Sequence, residues 1–293
     1  MRPFDRYARR KLLSRIIAVL TGLCVLAVLY PLVSIVYESF VQGGAVLFQA
    51  QFLTTVQPLP CSAISCKTVG IGPAVQGTLI VVGLASGISV PVGVLAAIFA
   101  SEYRARGLGR AISFTADVLT GVPSIIMGAF IYGYFVIYYP QIALSFYTGA
   151  LALSAIMIPI VVRTTEEALR VVPNSIREAA LALGISKWKA TLRIVLVASI
   201  PGVATGVLLA VMRAAGEAAP LLFTLGYSTL WFQGMNQQGA SLPLLIYTFA
   251  LSEAANQQKV AWGATLFLLI LILAVNVVSR LAIHRMRVRM GGV

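Results

Sequence analysis

Two residues of opposite charge, Arg213 and Glu217, stand four positions apart at the end of an otherwise apolar stretch. On a helix this spacing places both side chains on one face, where an ion pair forms readily. A guanidinium group can also donate two parallel hydrogen bonds to the oxygens of an anion. Two roles are therefore open, and they can coexist. The pair can fix a helix end, or Arg213 can contact a passing anion and return to Glu217 when the anion has left.

Other kinds of chemistry find little support in the residue types. The single histidine, His284, follows the last apolar stretch among arginines, with no cysteine or carboxylate beside it. One histidine in such surroundings supplies neither a Ser-His-Asp set nor a metal site. No G-x-x-x-x-G-K-[ST] segment occurs, so the chain lacks a Walker A loop for ATP. We therefore expect no catalytic residue, no metal and no cofactor in this chain, and no enzyme activity of its own.

A polar island, residues 163–193, lies between two long apolar stretches. The pattern predicts a first short helix that begins with the island and is closed by Pro173. Ser175, with Glu178 three residues later, has the form of a capping box that would begin a second helix. Gly184 is placed to end that helix, because glycine adopts the left-handed conformation at little cost.

The second helix of the island has an apolar face whose members recur at helical spacing, namely Ile176, Ala179, Ala180 and Leu183. A capping carboxylate at Glu178 and a turn at Gly184 explain the local structure of this helix. They do not explain an apolar face that is held outside the membrane, which indicates a groove on a partner protein.

The elements that carry these residues are expected to be membrane helices. Of the 293 residues, 59% are hydrophobic and 11% charged, and the mean hydropathy of +0.92 is too high for a soluble domain. A spanning helix needs roughly 20 apolar residues. Six stretches qualify: 16–37, 74–100, 114–139, 144–162, 194–211 and 262–283. They lack the alternation of barrel strands, so we predict an all-α, polytopic membrane helical bundle.

The distribution of charge predicts the orientation. All but three of the 22 lysines and arginines fall at the two termini, after the second stretch or in the island; the exceptions are Lys67, Arg213 and Lys259. Six spans put both termini on one face, and the positive-inside rule makes that face cytoplasmic. The net charge of +13 is therefore a topology signal, and no reading element for nucleic acid accompanies it.

Two irregular segments are expected on the outer side of the membrane. Cys61 and Cys66 fall in the loop after the first span, where a disulfide can persist, although their spacing does not establish one. Residues 216–262 are apolar but broken by proline and glycine, and 242–251 has the length of an interfacial or re-entrant helix. This segment could cover or gate a pathway, or serve as a passive cap.

Two glycine pairs and one aspartate within the spans lead to further expectations. Gly83 with Gly87, and Gly202 with Gly206, have the four-residue spacing that lets helices approach closely. We expect this packing within the subunit, and a dimer face is the alternative. Asp117 is expected near the cytoplasmic surface as a helix-start acid.

Several motifs resemble those of a known family. Glu178-Ala179-Ala180-x-x-x-Gly184, followed by Ile194-Val195-Leu196, is similar to the EAA loop of ABC importer permeases, with Val197 where the family has proline. The segments 163–167, 121–125 and 213–224 resemble the phosphate-specific branch of that family, and within it the A-type permease subunits. Ala218 departs from the threonine that is usual there. The resemblance runs from about residue 75 to the C-terminus.

The resemblance implies a type I ABC importer (MetI-like) permease fold, with 1–73 as a tail, first span and outer loop and 74–293 as the permease domain. Glu178, Ala179, Ala180 and Gly184 would couple to two separate ATPase subunits, which would bind ATP and Mg²⁺. Arg213 and Glu217, which are expected at the outer end of the fifth span, become candidates for a phosphate path or a gating pair. A homologous second permease subunit, an extracytoplasmic phosphate-binding protein and membrane lipid complete the expected partners, at the cytoplasmic membrane.

Other assignments remain open. The chain could be the other phosphate permease subunit, or a permease for sulfate or molybdate. A secondary transporter or channel predicts inverted repeats and ionisable residues at mid-bilayer, and the sequence indicates neither. A membrane scaffold that docks a signalling protein is a further alternative.

Overall fold

The computed structural model describes residues 3–60, 70–102 and 107–289, and within these ranges the regular structure is helical. Cys61 and Cys66 lie outside the described residues, so their pairing stays a prediction. The helices are α1 (Pro3–Leu47), α2 (Gly72–Glu102), α3 (Gly107–Gly121), α4 (Ser124–Tyr138), α5 (Phe146–Arg170), α6 (Asn174–Ala182), α7 (Lys187–Ala190), α8 (Leu196–Ala215), α9 (Ala219–Thr224), α10 (Leu242–Ala250) and α11 (Ala255–Arg289). A π-helical turn, Thr191–Val195, joins α7 to α8, and a short 3₁₀ turn, Pro140–Ile142, follows α4.

Five helices of the described ranges are each long and apolar enough to cross a bilayer, but the predicted third span is not one of them. The stretch 114–139 was expected to be a single helix, and this expectation was wrong. It divides into α3 and α4, whose axes meet at 102°. Pro123 has ψ of 134° at the break, and a proline disfavours the helical conformation in the residue before it.

The two halves still return the chain across the membrane, because α2 and α5 run in the same direction. Ser89 Oγ lies 3.7 Å from Met157 Sδ, and a Cβ on Gly93 would lie 2.7 Å from Val161. Residue numbers therefore increase in the same direction along α2 and α5. Because α2 and α5 are parallel, α3 and α4 together must make the return crossing. The described residues therefore keep the predicted count of six, as five continuous spans and one broken one.

The helices α5 and α8 pack antiparallel through small residues. A Cβ on Gly202 would come within 2.8 Å of Ala168, and one on Gly206 within 2.2 Å of Thr164 Oγ1. These two positions confirm the predicted close packing within the subunit. For Gly83 and Gly87 that prediction was wrong, since a Cβ at either glycine would have no neighbour within 4 Å.

The segment 216–262 packs into the core of the bundle, whereas α1 lies along its edge with its apolar side chains largely exposed. α10 is nine residues long, too short to span, and its buried side chains join a cluster with Val260, Ala261 and Ala264 of α11. α1 meets the rest of the chain near its C-terminal end, where Gly43 lies against the backbone of Trp262. The domain division predicted at residue 73 falls in the first turn of α2 and stays a prediction.

Candidate functional site

The helix α6 ends in a Schellman turn. Ile185 N–H donates to the carbonyl oxygen of Ala180 at 3.2 Å, and Gly184 N–H donates to that of Leu181 at 2.9 Å. Gly184 has φ of +76°, a conformation that residues with a side chain rarely adopt. The prediction that Gly184 ends the second island helix is confirmed.

The start of α6 differs from the predicted capping box. The helix begins at Asn174, directly after Pro173, and no side chain caps its first amides. The cap position is Pro173, and Ser175 lies two residues beyond it as the second residue of the helix, so that prediction was wrong. The first island helix is also not separate, because α5 runs without a break to Arg170.

The predicted apolar face of α6 is divided between two environments. Ala180 is buried against its own subunit, whereas Leu183 is 80% exposed and Ile176 is 39% exposed. Ala179 and Glu178 are also exposed. The helix therefore uses one small residue to rest on the bundle and holds its larger apolar side chains outward.

Polar contacts fasten α6 to the ends of the membrane helices. The guanidinium of Arg177 forms an ion pair with Glu102 at the end of α2, and its Nη2 donates to the carbonyl oxygen of Leu169 at 2.7 Å. Lys187 Nζ donates to the carbonyl oxygen of Glu102 at 2.6 Å and lies 3.9 Å from its carboxylate. Sequence reasoning missed Glu102, since its partners lie 75 and 85 positions away and no local spacing points to it.

A second ionic network joins α3 to α5. Arg163 pairs with Asp117 and lies 3.1 Å from a carboxylate oxygen of Glu166, which also pairs with Arg170 and accepts a hydrogen bond from Ser113 at 3.1 Å. Asp117 was expected at a helix start, but it lies in the last turns of α3. The helix begins at Gly107, seven residues before the predicted start of the span at 114, and ends at the break before Pro123, so Asp117 falls in its second half.

The pair of Arg213 and Glu217 is present. Arg213 Nε lies 3.5 Å from Glu217 Oε1, with the arginine side chain 51% exposed and the glutamate 19%. Arg213 stands in the last turn of α8, and Gly216 ends that helix. A cation near a helix C-terminus also interacts favourably with the helix dipole.

Arg213 lies deeper than the sequence suggested. It lines a small pocket with Ile156 and Ile160 of α5 and with Val122 at the α3–α4 break. These isoleucines lie about 15 and 21 Å along α5 from Phe146, at 1.5 Å per residue. The hydrocarbon core is about 30 Å thick, which places Arg213 near mid-depth. The expectations of an outer position and of no ionisable residue at mid-bilayer were both wrong.

The pocket beside Arg213 is closed to a large anion in this conformation. Its volume is about 20 Å³, which has room for about one water molecule. The lining includes the hydroxyl residues Thr120 and Ser124 on the two sides of the break. Opening would require α3, α4 or α8 to move, and the bend at Pro123 is the irregular point of this wall.

Similarity to known proteins extends over most of the chain. Residues 89–290 match the family described as binding-protein-dependent transport system inner membrane component. A protein of Yersinia pestis named phosphate transport system permease protein PstA is 36% identical over 94% of this chain and 91% of its own length. A PstA protein of Pasteurella multocida is 35% identical over 93% and 95%. PstA 1 of Mycobacterium tuberculosis is 40% identical over 72% and 69%.

Solved structures agree in fold. A bacterial alginate ABC transporter, in complex with an alginate-bound periplasmic protein, matches with a TM-score of 0.63 at 14% identity, covering 95% of this chain and 96% of that chain. The inward-facing MetNI methionine ABC transporter matches with a TM-score of 0.56 at 17% identity, covering 71% and 90%. The type I, MetI-like permease fold is therefore that of this chain as well.

Proposed function

This chain belongs to the family of binding-protein-dependent transport system inner membrane components, and on that premise we propose that it conducts inorganic phosphate into the cell as a permease subunit of an ATP-driven importer. One observation carries the choice of cargo. Relatives that match more than nine-tenths of this chain are named phosphate permeases. In this chain the guanidinium of Arg213 lies near mid-depth, beside a break in the bundle wall. The subunit transports and does not itself hydrolyse ATP.

The exposure of Arg213 supports a second permease subunit. A charged side chain at the bilayer centre costs about 2.5–3.5 kcal/mol on insertion scales, so such residues face protein or water. Half of the Arg213 side chain is uncovered within this chain. A homologous permease subunit would cover this face, and the phosphate path would run between the two.

The exposed side chains of α6 support docking to the motor subunits. Two ATPase subunits, which bind ATP and Mg²⁺, would each hold a coupling helix, here α6 with Glu178, Ala179 and Ala180 and its terminating Gly184. Leu183 and Ile176 would enter a groove on the ATPase, because apolar anchors on a short helix are typical of such recognition. A phosphate-binding protein would deliver the anion from outside.

Arg213 and Glu217 would act as the gating pair of the path. When ATP binding closes the ATPase dimer, α6 moves and the bundle opens toward the outside. Phosphate then displaces Glu217 from Arg213 and forms bidentate hydrogen bonds with the guanidinium. Glu217 competes for the same guanidinium, which limits the residence time of the anion and lets it leave on the cytoplasmic side.

The charge distribution supports a cytoplasmic-membrane location with both termini and α6 inside. The basic residues of the island and of the chain ends then lie on the side that the positive-inside rule assigns to the cytoplasm. Lipid would cover α1, whose apolar side chains are largely exposed within the chain.

The test is phosphate uptake by the complex reconstituted in proteoliposomes with its ATPases, second permease and binding protein. We expect uptake of radiolabelled phosphate that needs ATP and that excess sulfate or molybdate does not reduce. Equal competition by sulfate or molybdate would contradict the phosphate assignment, and uptake by this chain alone without ATP would contradict the importer mechanism.

A further inference from the structure

Glu102 lies where the coupling helix meets the membrane bundle. Its carboxylate is only 6% exposed, although it is the last residue of α2, and it faces two cations from the island, Arg177 of α6 and Lys187 of α7. We propose that Glu102 is the positioning residue through which displacement of α6 is transmitted to the membrane helices. This inference rests on the proposed function and names a residue outside the coupling motif.

Arg177 also connects α6 to α5. While one nitrogen meets Glu102, the other donates to the carbonyl oxygen of Leu169 in the last turn of α5. One guanidinium therefore joins α6 to the cytoplasmic ends of both α2 and α5. Its planar fork of donors fixes direction as well as distance, so a displacement of Arg177 must displace both helix ends.

The two helices that receive this connection form the central pair of the bundle. Val81 and Ala85 of α2 pack in one buried cluster with Leu153 and Met157 of α5. Because such close packing transmits strain, movement at Glu102 and Leu169 reaches the level of the Arg213 pocket, which α5 lines through Ile156 and Ile160.

Apolar contacts alone would hold α6 weakly. Ala180 is the one buried residue within α6, and a methyl group contributes little compared with a long apolar side chain. The ion pair of Arg177 with Glu102 is thus the main attachment of α6 to α2, and Lys187 adds a contact from α7. Loss of the negative charge would leave α6 able to follow the ATPase without moving α2.

The test compares Glu102→Gln with wild type in the assembled, reconstituted complex. Phosphate uptake should fall about tenfold, within the range of couplings measured between distant sites. Basal ATP hydrolysis should stay within about twofold, so more ATP is consumed per phosphate carried. Glu167→Gln is the matched control, because Glu167 is an exposed carboxylate at the cytoplasmic end of α5, and it should leave both rates unchanged.

A double-mutant cycle separates transmission from general destabilisation. If Glu102 and Arg177 act as one connection, Glu102→Gln with Arg177→Gln should reduce uptake no further than the more severe single variant. Unchanged uptake in Glu102→Gln, or loss of the ATPase subunits from the purified variant complex, would overturn the inference. Failure of the wild-type complex to carry phosphate would instead refute the proposed function.

Discussion

Replacement of Arg213 by glutamine removes the positive charge near mid-depth and keeps an amide that can donate hydrogen bonds. A hydrogen bond to a charged group contributes about 1.5–3 kcal/mol, and a guanidinium offers phosphate two in parallel where an amide offers one. Loss of one such bond in the transport transition state predicts uptake that is about 10- to 100-fold slower, at about 1.4 kcal/mol per factor of ten.

The assay measures ATP hydrolysis and phosphate uptake on the same proteoliposomes. Hydrolysis should continue in Arg213→Gln, because Arg213 lies far from α6 and its ATPase-facing side chains. The matched control is Arg280→Gln. Arg280 is an exposed arginine of α11 whose Nε donates to Asn276 Oδ1 at 2.8 Å, and its replacement should leave both rates unchanged.

A double variant distinguishes a loss of transport from a loss of folding. Arg213→Gln leaves Glu217, 19% exposed, without its ion-pair partner, and an unpaired charge of low exposure can itself destabilise the bundle. Arg213→Gln combined with Glu217→Gln removes both charges and should assemble normally without regaining transport. Full uptake in the double variant would show that the pair serves folding alone, and unchanged uptake in the single variant would remove any role of Arg213 in transport.

Three further predictions concern the helix contacts. Gly184→Glu should release the ATPase on co-purification, because a side chain at φ of +76° strains the end of α6 by about 1 kcal/mol; full retention would count against coupling through α6. Gly206→Val should lower the melting temperature in detergent, since even a Cβ would meet Thr164 Oγ1 at 2.2 Å. Gly87→Val should leave the melting temperature of the isolated chain unchanged, because a Cβ there has no neighbour within 4 Å; equal shifts in the two variants would contradict the assigned packing.

Hydropathy and charge predicted most of the architecture. Long apolar stretches have few alternatives in a bilayer, so the spans around α2, α5, α8 and α11 were placed within a few turns of their observed ends. The break at Pro123 was not predicted, because proline is tolerated inside membrane helices when neighbours satisfy the backbone. Whether it bends a span by 102° depends on packing against α5 and α9, which composition does not encode.

The functional residues likewise divide into those whose role depends on neighbours in sequence and those whose role depends on the folded chain. Gly184 could be identified from the sequence, since a helix terminator acts on its own neighbours. The depth of Arg213 could not, because it follows from the register of α8 against α5. Glu102 was missed for a related reason: its role depends on Arg177 and Lys187, which only the folded chain brings to it.

The most direct test of the central claim, that α6 is held by a separate ATPase at the cytoplasmic face, is labelling of the variant Leu183→Cys. Leu183 directly follows α6 in the polar island and is 80% exposed. In a variant free of the three native cysteines, a membrane-impermeant maleimide should react at this position in inside-out vesicles stripped of ATPase. Rebinding of the ATPase subunits should then protect it. Labelling from the outer side of intact cells, or no protection by the ATPase, would contradict the account.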